Sequence, residues 1–165
     1  MDIFRDVDDR PIPLSNPVHA IRRDQFPDRT RQRRMPREQI GLYLATIRAT
    51  RINPEASWSV RVKAAAIETL MLTGLRKADV LERTWDEIDL DNLSLHVPDG
   101  KLRVYKAFPL STQSEDALRW LEAHAEGEYV FPADGGTVMP YPTDLRPGMQ
   151  AAGLATGVHV SPPDF

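Results

Sequence analysis

The sequence of 165 residues contains no cysteine, which excludes disulfide bonds, thiol catalysis and any metal site with cysteine ligands. It also has no apolar run long enough to span a membrane, and its acidic start, Met1-Asp2, lacks the pattern of a signal peptide. We therefore expect a soluble cytoplasmic protein that makes no contact with a membrane.

Several common catalytic motifs are missing as well. The sequence has no glycine-rich phosphate loop, no GxSxG nucleophile elbow and no HExxH zinc motif. Its four histidines lie far apart, and none has a second histidine three or four residues away. We predict that the protein binds no metal and no cofactor.

The formal net charge of −3 gives no overall nucleic-acid signal, but the positive charge is concentrated in one segment. Residues 22–37 hold seven arginines and two aspartates, a local net charge of +5. Prolines and polar residues dominate residues 1–35, which we interpret as an extended arm or linker before a single domain at 36–165. A basic arm of this kind either contacts the DNA backbone or remains a solvated linker. If it contacts DNA, the candidate binding residues are Arg22, Arg31, Arg33 and Arg34.

Hydrophobic periodicity predicts mainly helices, with a short strand region in the middle. The predicted helices begin at about Pro36, at Ser57 or Ser59, at Lys77 and after Ser111, which caps its helix. A last predicted helix runs from Leu145 to Ala152. The predicted strands lie near residues 87–90, 93–97 and 102–108, and apolar and polar residues alternate along the last two. The expected fold class is therefore α+β, mainly helical with a small three-stranded antiparallel sheet.

The second helix ends at a glycine that is followed by charged residues. Gly74 stops the helix, Arg76 comes two residues later, and Asp79 has the i+3 spacing that favours contact with the arginine side chain. On this segment alone, an ordinary helix corner with a surface ion pair explains the pattern as well as a functional arginine does.

The order of motifs along the chain resembles the catalytic domain of the tyrosine recombinase (phage integrase) family, over roughly residues 10–165. The matching segments are Leu72-Thr73-Gly74-Leu75-Arg76 with Asp79, Trp85-Asp86-Glu87-Ile88-Asp89-Leu90, Lys101 through Phe108-Pro109-Leu110-Ser111, and Tyr129-Val130-Phe131-Pro132. The resemblance implies double-stranded DNA as the partner, in a bacterial or phage context. It also implies strand cleavage by phosphoryl transfer to a tyrosine, followed by rejoining.

The same resemblance assigns residue roles. Arg76 matches the first catalytic arginine, whose planar fork of donors suits phosphate oxygens, and Asp79 matches the acidic residue that supports it. Lys101, at the tip of the second hairpin, matches the lysine that protonates the leaving oxygen. Lys106 is the competing candidate, although it lies deeper in the third strand.

The sequence departs from the family pattern at its second motif, His-x-x-Arg. The chain reads Ser161-Pro162-Pro163-Asp164-Phe165 and ends, and none of its four tyrosines matches the nucleophile. We expect a truncated catalytic domain that binds DNA without cleaving it. The alternatives are a non-enzymatic DNA-binding or regulatory fragment, and a fragment that acts with copies of itself or with a full-length recombinase.

Overall fold

The computed structural model describes residues 35–99, 104–124, 127–133, 140–142 and 144–157. Within them, the elements in chain order are α1 (Arg37–Ile52), α2 (Trp58–Thr73), α3 (Lys77–Leu81), β1 (Ile88–Asp89), β2 (Ser94–Asp99), β3 (Val104–Pro109), α4 (Thr112–Glu122) and α5 (Arg146–Thr156). Helices predominate and the strands form one antiparallel sheet, so the predicted fold class is confirmed. Residues 1–34 are outside the described part of the chain, and the division at residue 35 stays a prediction.

The central element is α2, which contacts α1, α3, α4 and α5. Its middle is buried on nearly all sides because small and branched apolar residues follow one another from Ala64 to Ile67. The Ser57 hydroxyl accepts a hydrogen bond from the Val60 backbone N–H and caps the start of the helix. The predicted span of this helix is confirmed at both ends.

The sheet has the order β1–β2–β3, with antiparallel neighbours. Leu95 pairs with Phe108 and Val97 with Lys106, and both β2 residues are buried while their neighbours along the strand are less so. This is the predicted alternation. The first strand is shorter than expected, because Trp85–Glu87 forms a 3-10 turn. The Glu87 carboxylate bonds back to Thr84 in a capping box and so leaves the strand pattern.

Two further helices complete the fold. In α4, Ser111 caps the first turn, as predicted, and Leu118 and Leu121 face the core. The last helix, α5, extends to Thr156, four residues beyond the predicted end, because its proline lies in the first turn, where no backbone N–H is needed. Within the described residues, no helix combines the length and the apolar composition needed to cross a membrane.

Candidate functional site

The corner between α2 and α3 is built by the backbone of Gly74. This residue has a φ of +66°, a left-handed conformation that side chains disfavour, and its N–H donates to the Leu70 carbonyl at 2.9 Å. The chain then leaves the helix axis, Leu75 packs against the core, and Arg76 becomes the N-cap residue of α3. The corner thus presents Arg76, an exposed arginine, immediately beside the best-packed helix of the domain.

Arg76 and Asp79 do not bond to each other. Among the contacts of the described residues, neither side chain makes a hydrogen bond or an ion pair. The physical reason is that Arg76 has an extended backbone (φ −65°, ψ 150°) and precedes the helix, so the i+3 neighbour rule for helix surfaces does not apply to it. The supporting role of Asp79 stays a prediction.

The predicted catalytic lysine, Lys101, lies outside the described residues, as do Arg22, Arg31, Arg33 and Arg34. The strands on either side of Lys101 are described, and their last pair joins Asp99 to Val104. The competing candidate, Lys106, forms an ion pair with Asp99 across the hairpin. Its ammonium group therefore already has a carboxylate partner within the sheet.

A buried ion network fixes the helix that carries the corner, and the sequence-based prediction missed it. The Glu68 carboxylate of α2 is fully buried and accepts from Arg51 Nε and from Arg48 Nε, each at 2.9 Å. Arg51 is 2% exposed and also donates from Nη2 to Asp116 of α4 at 2.6 Å. Three helices are joined by this network. A glutamate in the middle of an otherwise apolar helix was the available signal, since lone carboxylates are almost never fully buried.

A second missed cluster lies at the start of α5. Asp144 accepts from Nε of Arg146 at 2.8 Å, from its Nη2 at 3.0 Å and from its backbone N–H at 3.0 Å. These bonds, with a smaller contribution from the charge of Lys77, lower the pKa of Asp144 to about 2. The Tyr141 hydroxyl, three residues before Asp144, donates to Glu82, the C-cap residue of α3, so this cluster lies near α3.

The segment around Trp85 is structural. The Trp85 N–H donates to the Glu128 carbonyl, the Val130 N–H donates to the Arg83 carbonyl, and Thr84 bridges to Tyr129. Two of the motifs that carry the family resemblance are therefore joined to each other by backbone bonds. These backbone bonds hold the two segments together.

The described residues form a mainly helical domain with a small antiparallel sheet and an exposed arginine at a glycine corner. Comparison with known families assigns the chain to one of them. The sequence model of the phage integrase family matches residues 33–154, and the chain belongs to this family.

Among solved structures, the chain is similar to the crystal structure of XerA recombinase, with a TM-score of 0.54 and 13% sequence identity. The similarity covers 76% of this chain and 43% of that one, so it demonstrates a shared fold over less than half of the recombinase. A search of the curated proteins found no match.

Proposed function

We propose that this chain supplies the first half of the phosphate-binding site of a DNA breaking and rejoining domain. The observation that carries the proposal is the placement of Arg76: an exposed guanidinium, held by a left-handed glycine next to a buried helix, in a chain that matches the phage integrase family over residues 33–154. The backbone of such an arginine is fixed in position, and its side chain is available to bind a phosphate.

The chemistry of the proposed site follows from its residue types. Arg76 donates to the non-bridging oxygens of the scissile phosphate and stabilises the charge that builds up there. Lys101, which lies between β2 and β3 in the sequence, protonates the departing 5′-oxygen. Asp79 supports Arg76 when phosphate is bound.

We further propose that the 165-residue chain by itself does not cleave DNA, because none of its four tyrosines matches the nucleophile of the family pattern. Tyr43 is 1% exposed and donates to the Met149 carbonyl, and burial raises its pKa to about 12. The Tyr141 hydroxyl donates to Glu82 at 3.0 Å. Tyr105 is exposed on β3, and Tyr129 is tied to Thr84 by a backbone bridge.

The test is a binding titration followed by a cleavage assay on the same protein. Fluorescence anisotropy with a labelled duplex, across a salt series, should give an affinity that falls steeply as salt rises. Suicide substrates, separated on a denaturing gel, should give no covalent protein–DNA adduct. A chain that fails to bind at low salt contradicts the DNA-binding proposal, and an adduct contradicts the lack of cleavage.

A second candidate function is a non-enzymatic DNA-binding or regulatory fragment whose affinity comes from the arm alone. The net charge of +5 over residues 22–37 favours it. Changing Arg22, Arg31, Arg33 and Arg34 to glutamine in the full chain separates the two candidates. If the arm alone binds, this quadruple variant loses most of its affinity, because the net charge of residues 22–37 falls from +5 to +1, and an Arg76 variant loses none.

Regulation through assembly, either with itself or with a full-length recombinase, is also a proposal. Sedimentation of the chain and its co-purification with an intact recombinase test these two forms. An effect of the chain on the cleavage rate of that recombinase would favour the regulatory candidate.

A further inference from the structure

Arg146 is held in one orientation by a neighbouring carboxylate. Asp144 Oδ1 accepts from Nε at 2.8 Å and Oδ2 accepts from Nη2 at 3.0 Å, a two-point contact that matches the planar guanidinium. The Arg146 backbone N–H also donates to Oδ1, so the carboxylate itself is fixed to the start of α5. A pKa of about 2 keeps Asp144 ionised throughout the neutral range, and the contact persists there.

The segment that carries this pair is anchored to the core on both sides. Leu145 is buried, and Gly148 packs so closely on α2 that an added Cβ would lie 3.2 Å from Ile67 Cδ1. The Met149 carbonyl accepts from the buried Tyr43 hydroxyl at 3.0 Å. The backbone of Arg146 is therefore fixed to the core, while its side chain is 66% exposed.

The close approach of Gly148 to Ile67 also shows where the Asp144–Arg146 pair lies along α2. Ile67 is six residues before the end of α2 at Thr73, about 9 Å along the helix axis. The charge of Lys77, the residue after Arg76, contributes to the lowered pKa of Asp144. The Tyr141 hydroxyl, three residues before Asp144, also donates to Glu82, the C-cap residue of α3, at 3.0 Å. The start of α5 therefore lies near α3, the helix that begins after Arg76.

The Arg146 guanidinium has further hydrogen-bond donors besides those that contact Asp144. A guanidinium has five N–H donors, and the described contacts of Arg146 use Nε and one hydrogen of Nη2. The remaining donors are suited to an anionic acceptor. Duplex DNA presents closely spaced phosphates along each strand, so two arginines near α3 are suited to contact the same backbone.

We propose that Arg146 is an additional phosphate contact beside Arg76, and that Asp144 is a positioning residue that holds its guanidinium for this contact. The inference rests on the proposed function, and it adds a residue outside the predicted set of Arg76, Lys101 and the arm arginines.

The test compares matched arginine variants in duplex-binding titrations across a salt series. Arg146→Gln should lower the affinity about 3- to 10-fold at 100 mM salt and reduce the slope of log K against log salt by about one. Arg119→Gln is the control, because Arg119 is also exposed and also paired with a carboxylate, Glu115 of the same helix. It removes the same charge and should leave the slope unchanged.

Asp144→Asn separates positioning from simple charge. If Asp144 only repelled the DNA, its removal would raise the affinity. The positioning role predicts a lower affinity with an unchanged salt slope, and Arg146→Lys, which keeps the charge but loses the fork, should behave in the same way. Circular dichroism confirms that each variant is folded.

The outcomes distinguish this inference from the function on which it rests. If the wild-type chain does not bind DNA, both are wrong. If the wild type binds and Arg146→Gln behaves like Arg119→Gln, only the Arg146 contact is wrong. A higher affinity for Asp144→Asn would overturn the positioning role alone.

Discussion

Two arginines near α2, Arg51 and Arg76, have opposite surroundings. Arg51 is 2% exposed and is paired with Glu68, which is fully buried, and with Asp116. Arg76, beyond the C-terminal end of the helix, is exposed and has no ion-pair partner among the described residues. The two arginines carry the same charge on the same group, so the difference between them comes entirely from what surrounds them.

The difference separates a structural role from a functional one. A buried charge is tolerated only when its hydrogen bonds and its Coulomb partner are both present, so the donors of Arg51 are used within the fold. The donors of Arg76 are available for a ligand. Variants that disturb the first region should therefore change stability, and variants of the second should change binding.

Glu68→Gln should give the largest loss of stability. The substitution keeps the size of the side chain but removes the negative charge between Arg48 and Arg51, so two guanidinium groups lose their common partner. Breaking a buried pair costs about 3–5 kcal/mol, and we expect about 3 because Asp116 still pairs with Arg51. Urea denaturation followed by circular dichroism measures the change.

Glu115→Gln is the matched control for that experiment. Glu115 pairs with Arg119 on the surface of α4, at the i,i+4 spacing. Exposed pairs of this kind contribute at most about 1 kcal/mol, so the control should be close to the wild type. Equal losses in the two variants would show that the Glu68 network is not special.

The second largest effect should come from alkaline pH, through Tyr43. Its pKa is about 12 in the folded protein, against 10.0 for an unperturbed tyrosine, so the folded state favours the protonated phenol. The stabilisation is fully present below pH 10 and is lost as the pH rises toward 12. By linkage, two pKa units correspond to about 2–3 kcal/mol.

Tyr43→Phe identifies the group that is responsible. The variant loses the hydrogen bond to the Met149 carbonyl, at a cost of about 1 kcal/mol near neutral pH. Above pH 10 its stability should fall less than that of the wild type. Parallel curves for the two proteins would contradict the assignment to Tyr43.

Gly74→Ala should have a smaller effect. An added Cβ meets no atom within 4 Å, so the cost comes only from the left-handed backbone and amounts to about 1–2 kcal/mol. Gly41→Ala is the control, because Gly41 lies inside α1 with equally open space and the same substitution there should stabilise by about 0.5–1 kcal/mol. Thermal melts that shift in the same direction would contradict the role of the Gly74 conformation.

The sequence predicts the elements whose signals are local. The start of α2 at Ser57, the cap at Ser111, the stop at Gly74 and the alternation along β2 each depend on residues within one or two turns of each other, and all are confirmed. The pattern underestimates the length of α5, because Pro147 and Gly148 are residue types that usually break helices. Pro147 is harmless in a first turn, and Gly148 makes room for Ile67.

What the sequence could not predict are contacts that depend on how helices pack. Arg51 and Glu68 are 17 residues apart, and nothing in either helix alone indicates the pair. Asp144 and Arg146 are close in sequence, but their relation to the α2–α3 corner depends on α5 packing against α2. For Arg76 and Asp79 the sequence predicted a contact that the structure lacks. Their spacing favours an ion pair within a helix, but Arg76 is the N-cap residue of α3, and its extended backbone does not bring the two side chains together.

Arg76→Ala should cause the smallest change in stability and the clearest change in binding. Because the side chain is exposed and has no described partner, the free energy of unfolding should change by less than about 0.5 kcal/mol. In duplex titrations the affinity should fall across all sequences, and the salt slope should decrease by about one, as expected for one lost phosphate contact. Arg76→Lys restores the charge without the fork and should recover the slope but only part of the affinity. If Arg76→Ala instead destabilised the fold as strongly as Glu68→Gln while leaving DNA affinity unchanged, Arg76 would be a structural arginine like Arg51, and the distinction between the two regions would be wrong.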